Sequence, residues 1–162
     1  MMRHSKPSAE KYVTAIYLIL SFYCLGALVI ENDVNYPSWQ WIGDQEFPQF
    51  HRRLEQRLLV PFMAPLTLLL VANLAMVWFH LRGVPRYIVW LSAINCVYLL
   101  AESLLIQVPI HETLDHVKTN AVLEELHRTH LYYRLPSEVV LFVTAAAVLL
   151  ESLPGKQPKS AS

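Results

Sequence analysis

Long apolar runs constrain this chain more than any other feature. Residues 12–30 and 58–79 carry no charged side chain, and residues 87–106 carry only Glu102. Each run has about the 20 residues that a helix needs to cross a hydrocarbon core ~30 Å thick. In lipid every backbone N–H and C=O must be paired within its own segment, so such runs are read as helices. A fourth run, residues 139–150, is too short to cross alone. Its helix must therefore begin earlier, near Asn120, and bring His127, His130, Arg134 and Glu138 toward the membrane.

Composition points the same way. The mean hydropathy is +0.33, and 16% of the 162 residues are charged, against about 25% in soluble domains. The expected fold is all-α: an integral membrane four-helix bundle over residues 12–151, in contact with the lipid bilayer. Residues 1–11 form a short amino-terminal segment, and the Pro/Ser/Lys-rich residues 152–162 a disordered tail. The first run is longer than a secretory signal core, so it is read as an uncleaved span. The balance of 13 Lys/Arg and 13 Asp/Glu excludes the basic stripe of a nucleic-acid binder. Cys24 and Cys96 lie in separate apolar runs without a CxxC pair, which removes a thiol redox motif from consideration.

Charge bias sets an expected orientation. Four spans put the amino terminus, the turn at residues 80–86 and the tail on one side, with Arg3, Lys6, Lys11, Arg82, Arg86, Lys156 and Lys159 against Glu10 and Glu151. The other side holds six Lys/Arg against ten acidic residues, Glu102 left out. By the positive-inside rule both termini are cytoplasmic. Two polar blocks, residues 31–57 and 107–138, then share the outer side.

Those blocks hold five of the seven histidines: His51, His111, His116, His127 and His130. Pro48 marks a helix start, and His51 with Glu55 forms an i,i+4 pair. His111 follows Pro109 at the end of the third span. On the fourth helix His127, His130, Arg134 and Glu138 are spaced as one stripe, which Pro136 should kink. Asn95, Glu102 and Ser103 fall on one side of the third span and should face inward. An ionisable group at that depth normally has a partner, and Glu102 is assigned either to Arg134 or to proton acceptance. Tyr36, Trp39 and Trp41 suit a membrane interface.

Three chemistries compete for this constellation. Two or three imidazoles with a carboxylate can hold a metal ion, and HRTH offers His127 and His130 at i,i+3. The same histidines can be interfacial side chains paired with Glu124, Glu125 or Glu138. Or they work without metal, a histidine moving a proton near neutral pH while Arg134, paired with Glu138 or Glu102, stabilises an anion and Tyr132 or Tyr133 orients a substrate. A proton-relay transporter built on Glu102 is a further reading, weakened by the lack of an inverted repeat.

The motifs YPSW…FPQFHRRLE, VPIHETLD and LHRTHLYYRLPSE resemble the pattern of the anthrone oxygenase-like family of small four-helix membrane proteins, from Tyr36 to Leu150. The resemblance implies a pocket at the outer end of the bundle that includes His51, Pro109, His111, His130 and Arg134. For the characterised fungal branch it implies oxygenation of a polycyclic phenol without an obvious cofactor. This chain has Leu131 and Tyr132 where that pattern carries a tryptophan. The combined expectation is a site with His130, Arg134, His111 and His51 as the reacting groups and Glu102, Asn95, Tyr133 and Glu138 lining it. Such a site binds, and on the resemblance oxidises, a small partly apolar molecule, its cofactor unidentified; a non-enzymatic role in binding a partner subunit or lipid is the rival.

Overall fold

The computed structural model of the chain describes residues 9–79 and 83–153. The expected tail thus lies almost wholly outside the described residues, as does most of the amino-terminal segment. Four long helices make up the described chain: α1 Ala9–Trp41, α2 Phe47–Phe79, α3 Arg86–Leu114 and α4 Asn120–Ser152. All four are long and apolar enough to cross a membrane. At 1.5 Å per residue a helix of 33 residues runs about 50 Å, well beyond a core of ~30 Å. One end of the bundle therefore extends past the apolar layer.

Each helix packs on the next, and α4 closes back on α1, the ring order of an up-down-up-down bundle. The apolar core between them includes Tyr17, Leu28, Leu69, Met76, Cys96, Leu99, Leu141 and Val148. Tyr17 reaches across to Ser92, hydroxyl to hydroxyl, at 2.8 Å. Most large side chains on the outside are apolar as well, among them Ile19, Val60, Trp90 and Leu105. Such a surface belongs against acyl chains, since water would leave it as one oversized apolar patch. The chain is accordingly a multi-pass membrane protein.

The helices start where expected. Pro48 stands in the first turn of α2, and Thr119 caps α4 by accepting from the Val122 N–H at 3.3 Å. α1 and α3 run on past their apolar runs, and α1, α3 and α4 each pass through a five-residue π turn: Glu31–Asn35, Ser103–Gln107 and His130–Arg134. Two residues beyond each turn stands a proline: Pro37, Pro109 and Pro136. A proline ring crowds the carbonyl four residues back, and the wider π winding makes room for it. Pro136 therefore stands within α4 without ending it. The carbonyl of Tyr133 gains a donor from the Tyr98 hydroxyl at 3.4 Å.

Candidate functional site

All three π turns lie toward the same end of the bundle, and each turns polar side chains inward. Glu31 and Asn32 come from α1, Ser103 and Gln107 from α3, His130 and Arg134 from α4; all are buried. The two polar blocks meet there. A small second core of Trp39, Phe47, Ile110, Leu114 and Leu126 caps this end, and Lys118 ties the loops by pairing with Asp44 at 3.1 Å and with the Ile42 carbonyl.

One hydrogen-bonded chain crosses the space between. Asp115 Oδ1 lies 2.7 Å from His51 Nδ1. His51 Nε2 lies 3.0 Å from His111 Nδ1, and Glu55 Oε1 is 3.1 Å from His111 Nδ1 and 3.9 Å from His51 Nε2. On its far side His111 Nε2 meets the Tyr36 hydroxyl at 3.0 Å, to which Arg134 Nη1 donates at 3.2 Å. Arg134 Nε donates to Glu102 at 3.4 Å and Nη1 to Asn32 at 3.4 Å. Asn32 in turn donates to Glu138 at 2.7 Å, and Gln107 donates to Glu102. Every α-helix of the bundle contributes to this path.

Aromatic packing fixes the imidazoles. His51 stacks between Phe47, at 5.4 Å between centroids, and His111, at 5.2 Å. Trp39 presents an edge-to-face contact to both, at 5.1 and 5.8 Å, within the range in which such pairs attract. Trp39, expected at the membrane interface, is buried instead; Trp41 remains exposed. The path also has a reachable side and a closed side. Glu55, His111 and Tyr36 are partly exposed, while His51 and Arg134 are enclosed behind them.

Several expected site residues take other places. His127 is exposed, because the π turn that follows it breaks the regular winding and the stripe cannot continue through it. His130 is buried, with Nδ1 unpartnered. Among the described residues the group of three metal-capable donors is His51, Glu55 and His111, apart from the expected pair His127 and His130. Asn95 lies about 10 Å along α3 from Glu102 and is engaged by Ser137, donating to its carbonyl at 3.0 Å and accepting from its hydroxyl at 2.8 Å. It joins α3 to α4 and does not line the path. Tyr133 is 45% exposed, and its carbonyl accepts from Tyr98, outside the path. Pro109 acts through the backbone, as the proline that ends the α3 π turn. Glu102, by contrast, is the partner of Arg134, and Glu138 closes the path through Asn32.

Tyr36, Asn32 and Asp115 were missed as members. Nothing local marks them, although Pro37, beside Tyr36, repeats the spacing of Pro109 and Pro136. A shallow depression of about 470 Å³ opens beside the path, lined by Pro109, Glu112, Thr113, Asp115, His116 and Val117. No protein family, curated protein or solved structure matches this chain.

Proposed function

We propose that this membrane protein binds a small, partly apolar molecule at the polar end of its bundle, on the outer side, and oxidises it there. The observation that carries the reading is the unbroken path from Asp115 through His51, His111 and Tyr36 to Arg134. It joins an imidazole pair able to take a proton to a buried cation able to stabilise negative charge. Both termini are cytoplasmic on this reading, supported by the basic excess at their end of the bundle.

The ligand enters from the interface and meets the reachable face of Glu55, His111 and Tyr36. His111 accepts a proton from an acidic C–H, and His51 with Asp115 behind it spreads the charge. Arg134 acts at one remove, by polarising the Tyr36 hydroxyl that binds the developing oxyanion. The carbanion reduces dioxygen to a carbon-bound hydroperoxide, which then loses water. A methylene carbon thus becomes a carbonyl carbon: one oxygen atom stays on it, and the other leaves with its two hydrogens as water. The resemblance to anthrone oxygenase-like proteins supports this chemistry through the FPQFHRRLE and VPIHETLD motifs, which supply His51 and His111.

The test uses purified protein in lipid nanodiscs, a hydroxylated anthrone as probe, and an oxygen electrode. One dioxygen consumed per quinone formed, with His111→Ala lowering kcat by about 10²- to 10⁴-fold, supports the reading; uptake no faster than the spontaneous reaction overturns it. A second reading, an accessory protein that binds a partner subunit or lipid, is favoured by Trp41 and Tyr132, 80% and 72% exposed. On that reading Trp41→Ala and Tyr132→Ala abolish the cellular role while His111→Ala leaves it intact.

A further inference from the structure

We propose that His51 Nε2, His111 Nδ1 and Glu55 Oε1 form a binding site for one divalent transition-metal ion. The inference goes beyond the oxidation reading and stands without any substrate.

Hydrogen-bond polarity carries it. As a carboxylate, Asp115 only accepts, so at 2.7 Å the proton of His51 sits on Nδ1 and the Nε2 lone pair points inward. The Tyr36 oxygen accepts from Arg134 at 3.2 Å and, when His111 carries its proton on Nε2, accepts from that N–H as well, at 3.0 Å. That tautomer leaves the His111 Nδ1 lone pair facing inward as well. Glu55 Oε1 adds a third acceptor, and in this tautomer no donor stands among the three. In the metal-free chain a proton shared between His51 Nε2 and His111 Nδ1 closes the path described above; a metal ion in its place satisfies all three lone pairs at once.

The distances suit a metal. The three atoms form a triangle with sides of 3.0, 3.1 and 3.9 Å. Ligands bonded at about 2.0–2.1 Å in tetrahedral geometry stand about 3.3–3.4 Å apart, so shifts of a few tenths of an ångström complete the shell. Each imidazole already has its outer nitrogen held, His51 by a carboxylate and His111 by a phenol, the arrangement that orients metal-bound histidines. His51 and Glu55 are one turn apart on α2, and His111 comes from α3 beside it. Glu55, 37% exposed in its side chain, gives an ion a way in. Two imidazoles and one carboxylate with open positions favour iron(II), zinc or cobalt over magnesium or calcium, which prefer all-oxygen shells.

The ion takes the lone pairs that a free base needs, so metal-loaded and chelator-stripped protein report separately on this site and on the proton route. The test titrates chelator-stripped, detergent-purified full-length protein with cobalt(II) alone, following the visible d–d bands and counting bound cobalt by elemental analysis. One cobalt per chain is expected. His111→Ala and Glu55→Gln should weaken it by more than about a hundredfold and Asp115→Ala by about 10- to 100-fold, with His127→Ala unchanged. Glu55→Gln keeps the shape of a half-exposed side chain, and unchanged helical circular dichroism shows that its fold persists. Failure of the wild-type protein to bind stoichiometric cobalt, or undiminished binding by Glu55→Gln, overturns the proposal.

Discussion

Arg134 is the side chain on which the polar end most depends. It is 2% exposed, and its guanidinium donates to Glu102, Asn32 and Tyr36, which belong to α3 and α1. A buried ion pair gains little over apolar residues of the same shape, but removing one partner strands the other charge at a cost of about 3–5 kcal/mol. Arg134→Met should therefore destabilise the protein by about that much, and Glu102→Gln in the same chain should recover part of the loss. Thermal unfolding of both variants in detergent measures the recovery; strictly additive losses would contradict the pairing. Asn95 behaves differently. Asn95→Leu should cost about 1–2 kcal/mol through the stranded Ser137 hydroxyl, yet leave cobalt affinity unchanged, because its bonds end at Ser137.

Among the elements, the three π turns aim the polar side chains. Each inserts extra winding just before a proline, and each contributes a buried polar pair to one end of the bundle. Deleting Leu131, an exposed residue inside the α4 turn, should restore α winding and rotate the preceding residues by about 100° relative to those that follow. Helical circular dichroism should hold while the Tyr36–Arg134 contact is lost, which on the proposed oxidation reading abolishes oxygen uptake; uptake at the wild-type rate would show that the turn is dispensable. The spans were legible from hydrophobic length, and the start of α4 near Asn120 followed from the shortness of its apolar run. His51, Glu55, His111, Glu102 and Arg134 were legible as polar groups with a need for partners. The winding was not, because a proline announces a disturbed helix without saying whether it kinks or widens. That ambiguity misplaced His127; Tyr36 was read as an interface aromatic and Asp115 went unread, because their partners lie 75 and 64 residues away.

At the scale of the whole molecule, an apolar four-helix bundle with lipid-facing side chains carries a polar, hydrogen-bonded cluster at the end where residues 31–57 and 107–138 meet. The separation is physical: the long helices outrun the hydrocarbon layer, and the excess length is where ionisable groups are tolerated. The account therefore requires the loops after α1 and after α3 to face the same aqueous space, opposite the end of α4. Single cysteines at Asp44, His116 and Ser152, all exposed, read this out in a background with Cys24→Ala and Cys96→Ala. With a membrane-impermeant maleimide on intact cells, Asp44→Cys and His116→Cys should both label, and Ser152→Cys only after permeabilisation. Labelling of Asp44→Cys and His116→Cys from opposite sides of the membrane would contradict the shared site.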